Sequence, residues 1–306
     1  MDTPPAEAMT DELRVLLARA IAVACDVVDA DTAWTTPWAD SPAGTELAAE
    51  ESRRPAPRTG SWPWLAAPMI ARWGLQVAVE EAKGFLAVLG PNATSYAADV
   101  LCRGVLETAS LAWWLLDPAT DAQKRLARSL VYRLHTAAQT AKAVTALELD
   151  PHEDPSGYGE SVDDVRQEIR ELGWTYGSGP RVSFDTDRKN VEVRLTYTDR
   201  AASLVERIWP QRKLPYAVLS AVAHAELLGL QRNLATSPAA APGSWPAPGR
   251  DNALWLWQDT YLVLGALVFT ADRAANFLGL YDHLAAMHAL VEQLDQRLPA
   301  LRPTDP

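Results

Sequence analysis

Apolar residues recur at three- and four-residue spacing along most of the chain, and this helical period constrains the fold more than any other feature. Leu13, Leu16, Leu17 and Ile21 show it first, and it returns in segment after segment. Strict alternation of apolar and polar residues, the pattern of a half-buried strand, is confined to residues 173–197. Because strands do not alternate with the helices, doubly wound and barrel α/β folds are excluded. The pattern predicts an all-α protein.

The breaks in the pattern predict a single multi-helix bundle of about eight or nine helices, delimited by Gly, Pro and capping residues. The expected helices span about 10–30, 64–89, 92–116, 121–147, 161–172, 198–210, 215–234, 251–280 and 282–298.

Two stretches are expected to differ from the helices. Residues 31–63 are rich in Pro, Ser and Thr, which predicts a long loop with one short helix. Residues 173–197 predict a small hairpin, which is marginally stable by itself. The domain organisation follows: an acidic N-terminal region, residues 1–63, packs on a main helical domain, residues 64–300, and a tail, residues 301–306, follows.

The composition is that of a soluble globular protein, with 48% hydrophobic and 22% charged residues among 306. Two cysteines, Cys25 and Cys102, are too few for a disulfide scaffold or an all-cysteine zinc site. The acidic N-terminus does not resemble a secretory signal. The longest apolar run is interrupted by Gln258 and Asp259 and is then too short for a membrane span. We therefore expect a cytoplasmic protein without membrane contact.

The net charge of −11 argues against nucleic acid as a partner, because non-specific binding to nucleic acid is driven by basic surfaces. Basic side chains nevertheless outnumber acidic ones in residues 103–142 and 181–213. These segments can form a local site for a small anion.

The helix expected over 92–116 carries one polar stripe on an otherwise apolar surface, formed at three- or four-residue spacing by Tyr96, Asp99, Arg103, Glu107, Ser110 and Trp114. A helix that is apolar nearly all round is buried, so Arg103 and Glu107 are expected to be desolvated and paired. One interpretation is a salt bridge that fixes helix register. The other is an arginine that binds an anionic ligand, with the glutamate orienting it or acting as a base.

The helix expected over 215–234 places Tyr216, Ser220 and His224 on one face, among Ala, Val and Leu. His224 is the best candidate for acid–base work, because imidazole titrates near neutral pH. The alternative is a hydrogen-bonded core histidine. Ser220 is a weaker candidate nucleophile, because a serine four residues before a histidine on one helix is not a recurring triad geometry.

The helix expected over 121–147 carries a third stripe, formed by Arg128, Tyr132, His135 and Gln139. The arginine and histidine, six residues apart, resemble the R-x4–6-H motif of HEPN-domain ribonucleases, which are helical and metal-independent. The residue after the arginine is Ser129, which is polar but is not the usual Asn, Asp or His. The alternative is a solvated helix face.

Metal sites are not predicted, since the chain has no H-E-x-x-H and no helical E-x-x-H pair of the di-iron type. No cofactor is predicted from a motif. Haem is the one alternative, because His224 on an apolar helix among many tryptophans could supply an axial ligand.

Several segments together resemble a pattern found in uncharacterised helical proteins of actinobacteria, which are distantly HEPN-like. They are Arg103-Gly-Val-Leu-Glu107, Trp113-Trp114-Leu-Leu-Asp117-Pro118, Arg125 with Arg128, and Tyr216-x3-Ser220-x3-His224. The resemblance covers roughly residues 95–235 and implies a helical fold without implying a particular chemistry. Those proteins often have glycine after the histidine, whereas Ala225 stands there in this chain.

Three functional hypotheses follow. The first is a protein that binds or transforms a small, anionic organic molecule in a pocket walled by Trp and Leu. Its catalytic residues would be His224, Glu107 and Ser220, and its substrate contacts Arg103, Tyr216, Trp114, Arg128, Tyr132 and His135. The second is a HEPN-like ribonuclease or phage-defence protein, with Arg128 and His135 meeting at the cleft of a homodimer. The third is a non-catalytic interaction protein.

Overall fold

The computed structural model describes residues 6–53, 63–89, 95–146, 160–186, 189–210 and 252–297. Ten α-helices lie in these ranges: α1 Ala6–Asp29, α2 Asp31–Thr35, α3 Pro42–Arg53, α4 Ala66–Val88, α5 Ser95–Leu115, α6 Ala122–Ala146, α7 Val162–Glu171, α8 Tyr197–Ile208, α9 Asn252–Leu278 and α10 Tyr281–Arg297. A short 3-10 helix covers Pro63–Leu65, and three strands are β1 Thr175–Tyr176, β2 Arg181–Asp185 and β3 Asn190–Arg194. The all-α class predicted from the periodicity is confirmed. The helix expected over 215–234 lies outside the described residues.

The stretch from 31 to 53 is more helical than predicted. Ser41 caps α3, because its Oγ accepts a hydrogen bond from the backbone N–H of Gly44 at 3.0 Å, and Pro42 takes the first helical position. Trp34 in α2 is fully buried, and its Nε1 donates to the carbonyl of Val27 at 2.9 Å. Pro42 therefore begins a helix rather than interrupting one.

Helix α9 is the centre of the main core. Residues 259–271 are buried without interruption, and α1, α5, α8 and α10 pack around this helix. Helices α4 and α5 pack antiparallel to each other beside it. Within the described residues, Leu256–Leu278 is the one segment long and apolar enough to span a membrane, but 83% of its most apolar window is buried inside the protein. Its apolar surface is therefore used to build the core.

A second, smaller core joins α6 and α7 to an antiparallel sheet of strand order β1-β2-β3. Val182 pairs with Val193 across β2 and β3, and both side chains are buried. Phe184 stacks on Trp174 with ring centroids 4.7 Å apart. The predicted hairpin therefore has a third short strand, and its apolar face is stabilised by packing against α6, which resolves the marginal stability expected of a hairpin alone.

Gly279 separates α9 from α10 with a backbone φ of +78°, in the left-handed region that favours glycine. A Cβ at this position would lie 2.9 Å from the Cβ of Ser41 and 3.3 Å from that of Trp38. The residues between α2 and α3 therefore pack directly against this glycine.

We expect Gly279→Ala to destabilise the fold by about 1–3 kcal/mol, because alanine is strained at this φ and its methyl group would crowd the Ser41 side chain. Gly179→Ala is the matched control, since a Cβ there meets no atom within 4 Å. Urea unfolding of both variants measures the difference. Equal stabilities for the two would contradict this account of the α9–α10 break.

Candidate functional site

Three arginines bind the last three carbonyl oxygens of α5. Arg273 of α9 donates to the carbonyl of Trp113 at 2.6 Å, and Arg128 and Arg125 of α6 donate to those of Trp114 and Leu115. The final carbonyls of a helix have no partner within it and carry the negative end of its dipole. Guanidinium groups satisfy both needs, so α6 and α9 converge on this helix end.

Arg125 is the most completely bonded of the three. Its side chain is 2% exposed, and Nε lies 3.1 Å from Oε2 of Glu46 in α3. It also donates to the carbonyls of Asp117 and Thr120 in the α5–α6 turn. This arginine connects α3, α5 and α6, and most of its donors are used within the protein.

Asp117 organises the turn between α5 and α6. Its carboxylate accepts hydrogen bonds from the backbone N–H of Ala119 and the hydroxyl of Thr120, both at 3.1 Å, and lies 3.3 Å from Nη2 of Arg128. Burial acts to raise the pKa of Asp117, but the bond from Ala119 and the charge of Arg128 outweigh it and hold the pKa below its usual value. The carboxylate is therefore ionised and part of the turn.

A cavity of about 600 Å³ opens beside this helix end; we call it the arginine cavity. Its size lies within the range of roughly 300–1,000 Å³ typical of small-molecule sites. Its charged and aromatic wall residues are Glu46, Trp113, Arg125, Arg207, Phe269, Asp272, Arg273, Phe277 and Tyr281. Helices α3, α5, α6, α8, α9 and α10 all contribute to it.

Each arginine of this cavity lies against an aromatic ring. Arg125 lies over Phe277 with 4.6 Å from Cζ to the ring centroid, Arg207 lies over Phe269 at 4.5 Å, and Arg273 stacks on Trp113. Stacking fixes the plane of a guanidinium group and leaves its N–H edges directed outward. The walls therefore present oriented donors.

The charges of the arginine cavity are unevenly paired. Glu46 binds Arg125, and Oδ1 of Asp272 lies 3.2 Å from Nε2 of His288. Within the described residues, Arg207 makes no hydrogen bond or salt bridge, and Arg273 makes its one hydrogen bond to Trp113. Two guanidinium groups therefore keep donors for a bound anion.

Burial lowers the pKa of Arg273 to about 10; Asp117 opposes the shift, and Arg128, Arg207 and Arg125 add to it. Burial also raises the pKa of Asp272, against the opposing effects of His288, Arg207 and Arg273. Both shifts describe charges that are poorly solvated at the cavity wall. A bound anion would stabilise the arginine.

A second, smaller cavity of about 190 Å³ shares Trp113 and Arg273 with the arginine cavity. Its other wall residues are Trp114, Asp117, Thr196, Asp199, Arg200 and Ser203. Arg200 is 4% exposed and lies over the rings of Tyr197 and Trp114. The two cavities therefore share a wall formed by Trp113 and Arg273.

The predicted pair of Arg103 and Glu107 forms, with 2.6 Å between Nε and Oε1, but it is not fully buried. The Arg103 and Glu107 side chains are 18% and 32% exposed, so this part of the α5 surface is partly in contact with solvent. Glu81 of α4 lies alongside, and the Thr108 hydroxyl donates to it at 2.8 Å. Neither of the two cavities is lined by this pair.

The rest of the α5 stripe is divided between core and surface. Asp99 and Ser110 are fully buried, whereas Tyr96 is half-exposed. The hydroxyl of Ser110 donates to the carbonyl of Glu107 at 2.8 Å. Trp114 lies under the guanidinium of Arg128, with 5.1 Å from Cζ to the ring centroid.

The α6 stripe is not the solvated face given as the alternative. Arg128 is 7% exposed, Tyr132 and His135 are half-buried, and Gln139 alone is exposed. The burial follows from the turn, because the Arg128 side chain points to Asp117 and to the end of α5.

His135 lies against Tyr197 of α8, edge to face, with ring centroids 5.1 Å apart. Burial lowers the pKa of His135, and the charges of Arg200 and Lys142 lower it further. Burial raises the pKa of Tyr197, and Tyr132 and Glu107 add to this shift against the opposing charge of Arg200. The structure thus gathers Glu107, Tyr132 and His135 at the junction of α5, α6 and α8.

The remaining predicted site residues, Tyr216, Ser220 and His224, lie outside the described residues. Their assigned roles, including haem ligation by His224, stay predictions. Within the described ranges, no group of three His, Cys, Asp or Glu side chains could hold a metal ion.

Sequence reasoning missed Arg207 and Arg273. The signal for Arg273 was present, because Asp272 and Arg273 follow a long apolar run in the most buried helix. Arg207 carried no such signal, since it lies on the exposed side of the amphipathic helix α8.

No protein family model matches the chain, and neither a curated protein nor a solved structure matches it significantly. The candidate site is therefore interpreted from its own geometry.

We expect Arg125→Ala to cost about 3–5 kcal/mol of unfolding free energy, because it leaves Glu46 and several buried carbonyls without their partner. Arg103→Ala is the matched comparison. It also removes an ion-paired arginine, but from a partly solvated site, and should cost under about 1 kcal/mol. Urea unfolding compares the two. Similar losses would contradict the conclusion that burial of the partners sets the cost.

The lowered pKa of His135 predicts a pH dependence of stability. The unfolded chain takes up a proton at the usual pKa of 6.5, whereas the folded chain does so only at lower pH. The folded state is therefore destabilised relative to the unfolded chain as the pH falls below 6.5. His135→Gln should show a smaller loss than the unchanged protein between about pH 7.5 and pH 5.5 in urea unfolding. Parallel losses in the two proteins would refute the assigned shift.

Proposed function

We propose that this protein binds a small anionic organic molecule in the arginine cavity. One observation carries the proposal: Arg207 and Arg273, each lying over an aromatic ring, line the same cavity of about 600 Å³. Sites for small molecules are mostly apolar clefts with a few convergent polar groups, and this cavity has that form. The proposed pocket therefore lies at the C-terminal end of α5, whereas the pocket walled by Trp and Leu was expected beside Arg103.

The aromatic residues of the cavity account for the organic part of the ligand. Phe277 of α9 and Tyr281 of α10 line the cavity, and Tyr281 is 57% exposed. An aromatic or branched apolar group would pack on Tyr281, while its anionic group met the guanidinium groups. The proposal is one of binding, and it assigns no reaction to the site.

The proposal places the protein in the cytoplasm. Cys25 and Cys102 are free thiols, which suits a reducing compartment.

The HEPN-like ribonuclease alternative has less support. It needs Arg128 to contact a phosphate, and the Arg128 guanidinium is engaged by Trp114 and Asp117. An interaction protein without a ligand remains the simplest competitor, because the arginines also serve the end of α5.

The decisive experiment fills the cavity. Asn276 is exposed at its wall, so Asn276→Trp should place an indole in the cavity without disturbing the core. Titration calorimetry with phenyl phosphate, phenylacetate and benzenesulfonate should show saturable binding of at least one compound to the unchanged protein. The variant should weaken that binding about tenfold or more.

Gln296→Trp is the control, since it adds the same side chain at an exposed position of α10 that does not line the cavity. Saturable binding by none of the three compounds, or equal binding by both variants, would refute the proposed function.

A further inference from the structure

Two titratable side chains meet at one edge of the arginine cavity. Asp272 of α9 lines the cavity, and its Oδ1 lies 3.2 Å from Nε2 of His288 of α10. The His288 side chain is 65% exposed and that of Asp272 is 26% exposed, so the imidazole exchanges protons with solvent while the carboxylate lies at the cavity wall. A histidine is charged only when protonated, and histidines change charge near neutral pH. The charge at this edge of the cavity therefore changes with pH.

Asp272 connects the histidine to the arginines of the cavity. Burial raises the pKa of Asp272, and His288, Arg207 and Arg273 oppose that shift, so the carboxylate interacts with all three groups. Both arginines line the same cavity as Asp272. Because like charges repel, an ionised Asp272 opposes the binding of an anion to these two arginines.

Protonation of His288 has the opposite effect. A positive charge 3.2 Å from the Asp272 carboxylate offsets the negative potential of that carboxylate at the cavity wall. A neutral imidazole leaves that potential in place. An anion therefore meets a more positive wall when His288 carries its proton, and by linkage the bound anion favours the protonated imidazole.

The other charged groups near His288 on the helices that pack against it keep their charge near neutral pH. Glu292 lies four residues further along α10, and Arg19 of α1 donates a hydrogen bond to Gln293 of α10 at 3.3 Å. Glutamate and arginine stay ionised between about pH 6 and pH 8.5, and neither residue lines the cavity. His283 is a second imidazole on α10 that does not line the cavity, which makes it the matched control.

We propose that His288 and Asp272 form a pH-sensitive switch for anion binding: proton uptake by His288 offsets the charge of Asp272, and the arginine cavity then binds its anion more tightly. This inference rests on the proposed function and adds the regulation of the same site. Anion affinity rises as the pH falls through the range in which His288 gains its proton, and it falls as the proton is lost.

The first test removes the proton acceptor. Calorimetry at about pH 6 and pH 8.5 compares His288→Gln with the unchanged protein, using benzenesulfonate, phenylacetate and phenyl phosphate as probes. The ratio of the two Kd values for one probe cancels the ionisation of the probe and of other side chains. The variant should bind within about 1.5-fold of the unchanged protein at the higher pH and about threefold or more weakly at the lower pH. His283→Gln should match the unchanged protein at both.

The second test removes the opposing carboxylate. Asp272→Asn keeps the shape of the side chain and removes its charge, so it should bind each probe about threefold or more tightly than the unchanged protein at the higher pH. Asp163→Asn removes the same charge from α7, where the side chain is 87% exposed and does not line the cavity, and should leave the affinities unchanged.

The two proposals fail in different ways. If a probe binds but the Kd ratio for His288→Gln is the same at both pH values, or His283→Gln changes it equally, the inference is overturned and the proposed function stands. Weaker binding by Asp272→Asn at the higher pH would overturn the inference as well. Binding by none of the three probes would overturn both.

Discussion

The C-terminal end of α5 is the point on which the rest of the structure depends. Its last three carbonyls point into the protein rather than into water, and each is bound by an arginine from another helix. Buried carbonyls without partners are costly, so the position of α5 requires these donors. Because the donors belong to α6 and α9, the helix end fixes the angle of the α5–α6 turn and the register of the central helix. Glu46 then attaches α3 to the same cluster.

The cluster of arginines at the end of α5 also forms the candidate binding site. Several guanidinium groups meet within a small volume, and the nearby carboxylates neutralise some of them, with Asp117 and Glu46 committed to Arg128 and Arg125. Burial lowers the pKa of Arg273, and the charges of Arg128, Arg207 and Arg125 lower it further against the opposing charge of Asp117. An anion is the ligand that relieves this repulsion. The candidate site is therefore located where the fold has concentrated positive charge, in a chain whose net charge is −11.

Much of the fold could be predicted from residues alone. Helical periodicity predicted the class, and the capping pair of Ser161 and Asp164 begins α7, with each side chain bonded to the other's backbone. Asp117-Pro118 correctly marked the end of α5. Helices α2 and α3 lie where a long loop with one short helix was predicted. Proline content indicates a loop when the position of the proline relative to a cap is not considered, and Pro42 follows the capping Ser41.

The candidate site was less predictable, and the reason is physical. Sequence spacing identifies polar residues that share a helix face, and it correctly paired Arg103 with Glu107. It does not show which face meets another helix, so the pair was expected in the core and lies partly in solvent. Arg128 was assigned to a possible solvated stripe and is buried, because its partners come from the preceding turn and from the end of α5.

The sequence by itself determined the helical class, the order of the elements and the residues that could carry charge into the interior. Those properties are local, since they depend on periodicity, capping and composition within one or two turns. Only the tertiary structure decided which charges meet. Arg273 reaches a carbonyl 160 residues away along the chain, and Arg125 reaches Glu46 over 79 residues. The cavity between Arg207 and Arg273 exists because α8 and α9 pack on the same end of α5, a relation between distant segments that no local pattern encodes.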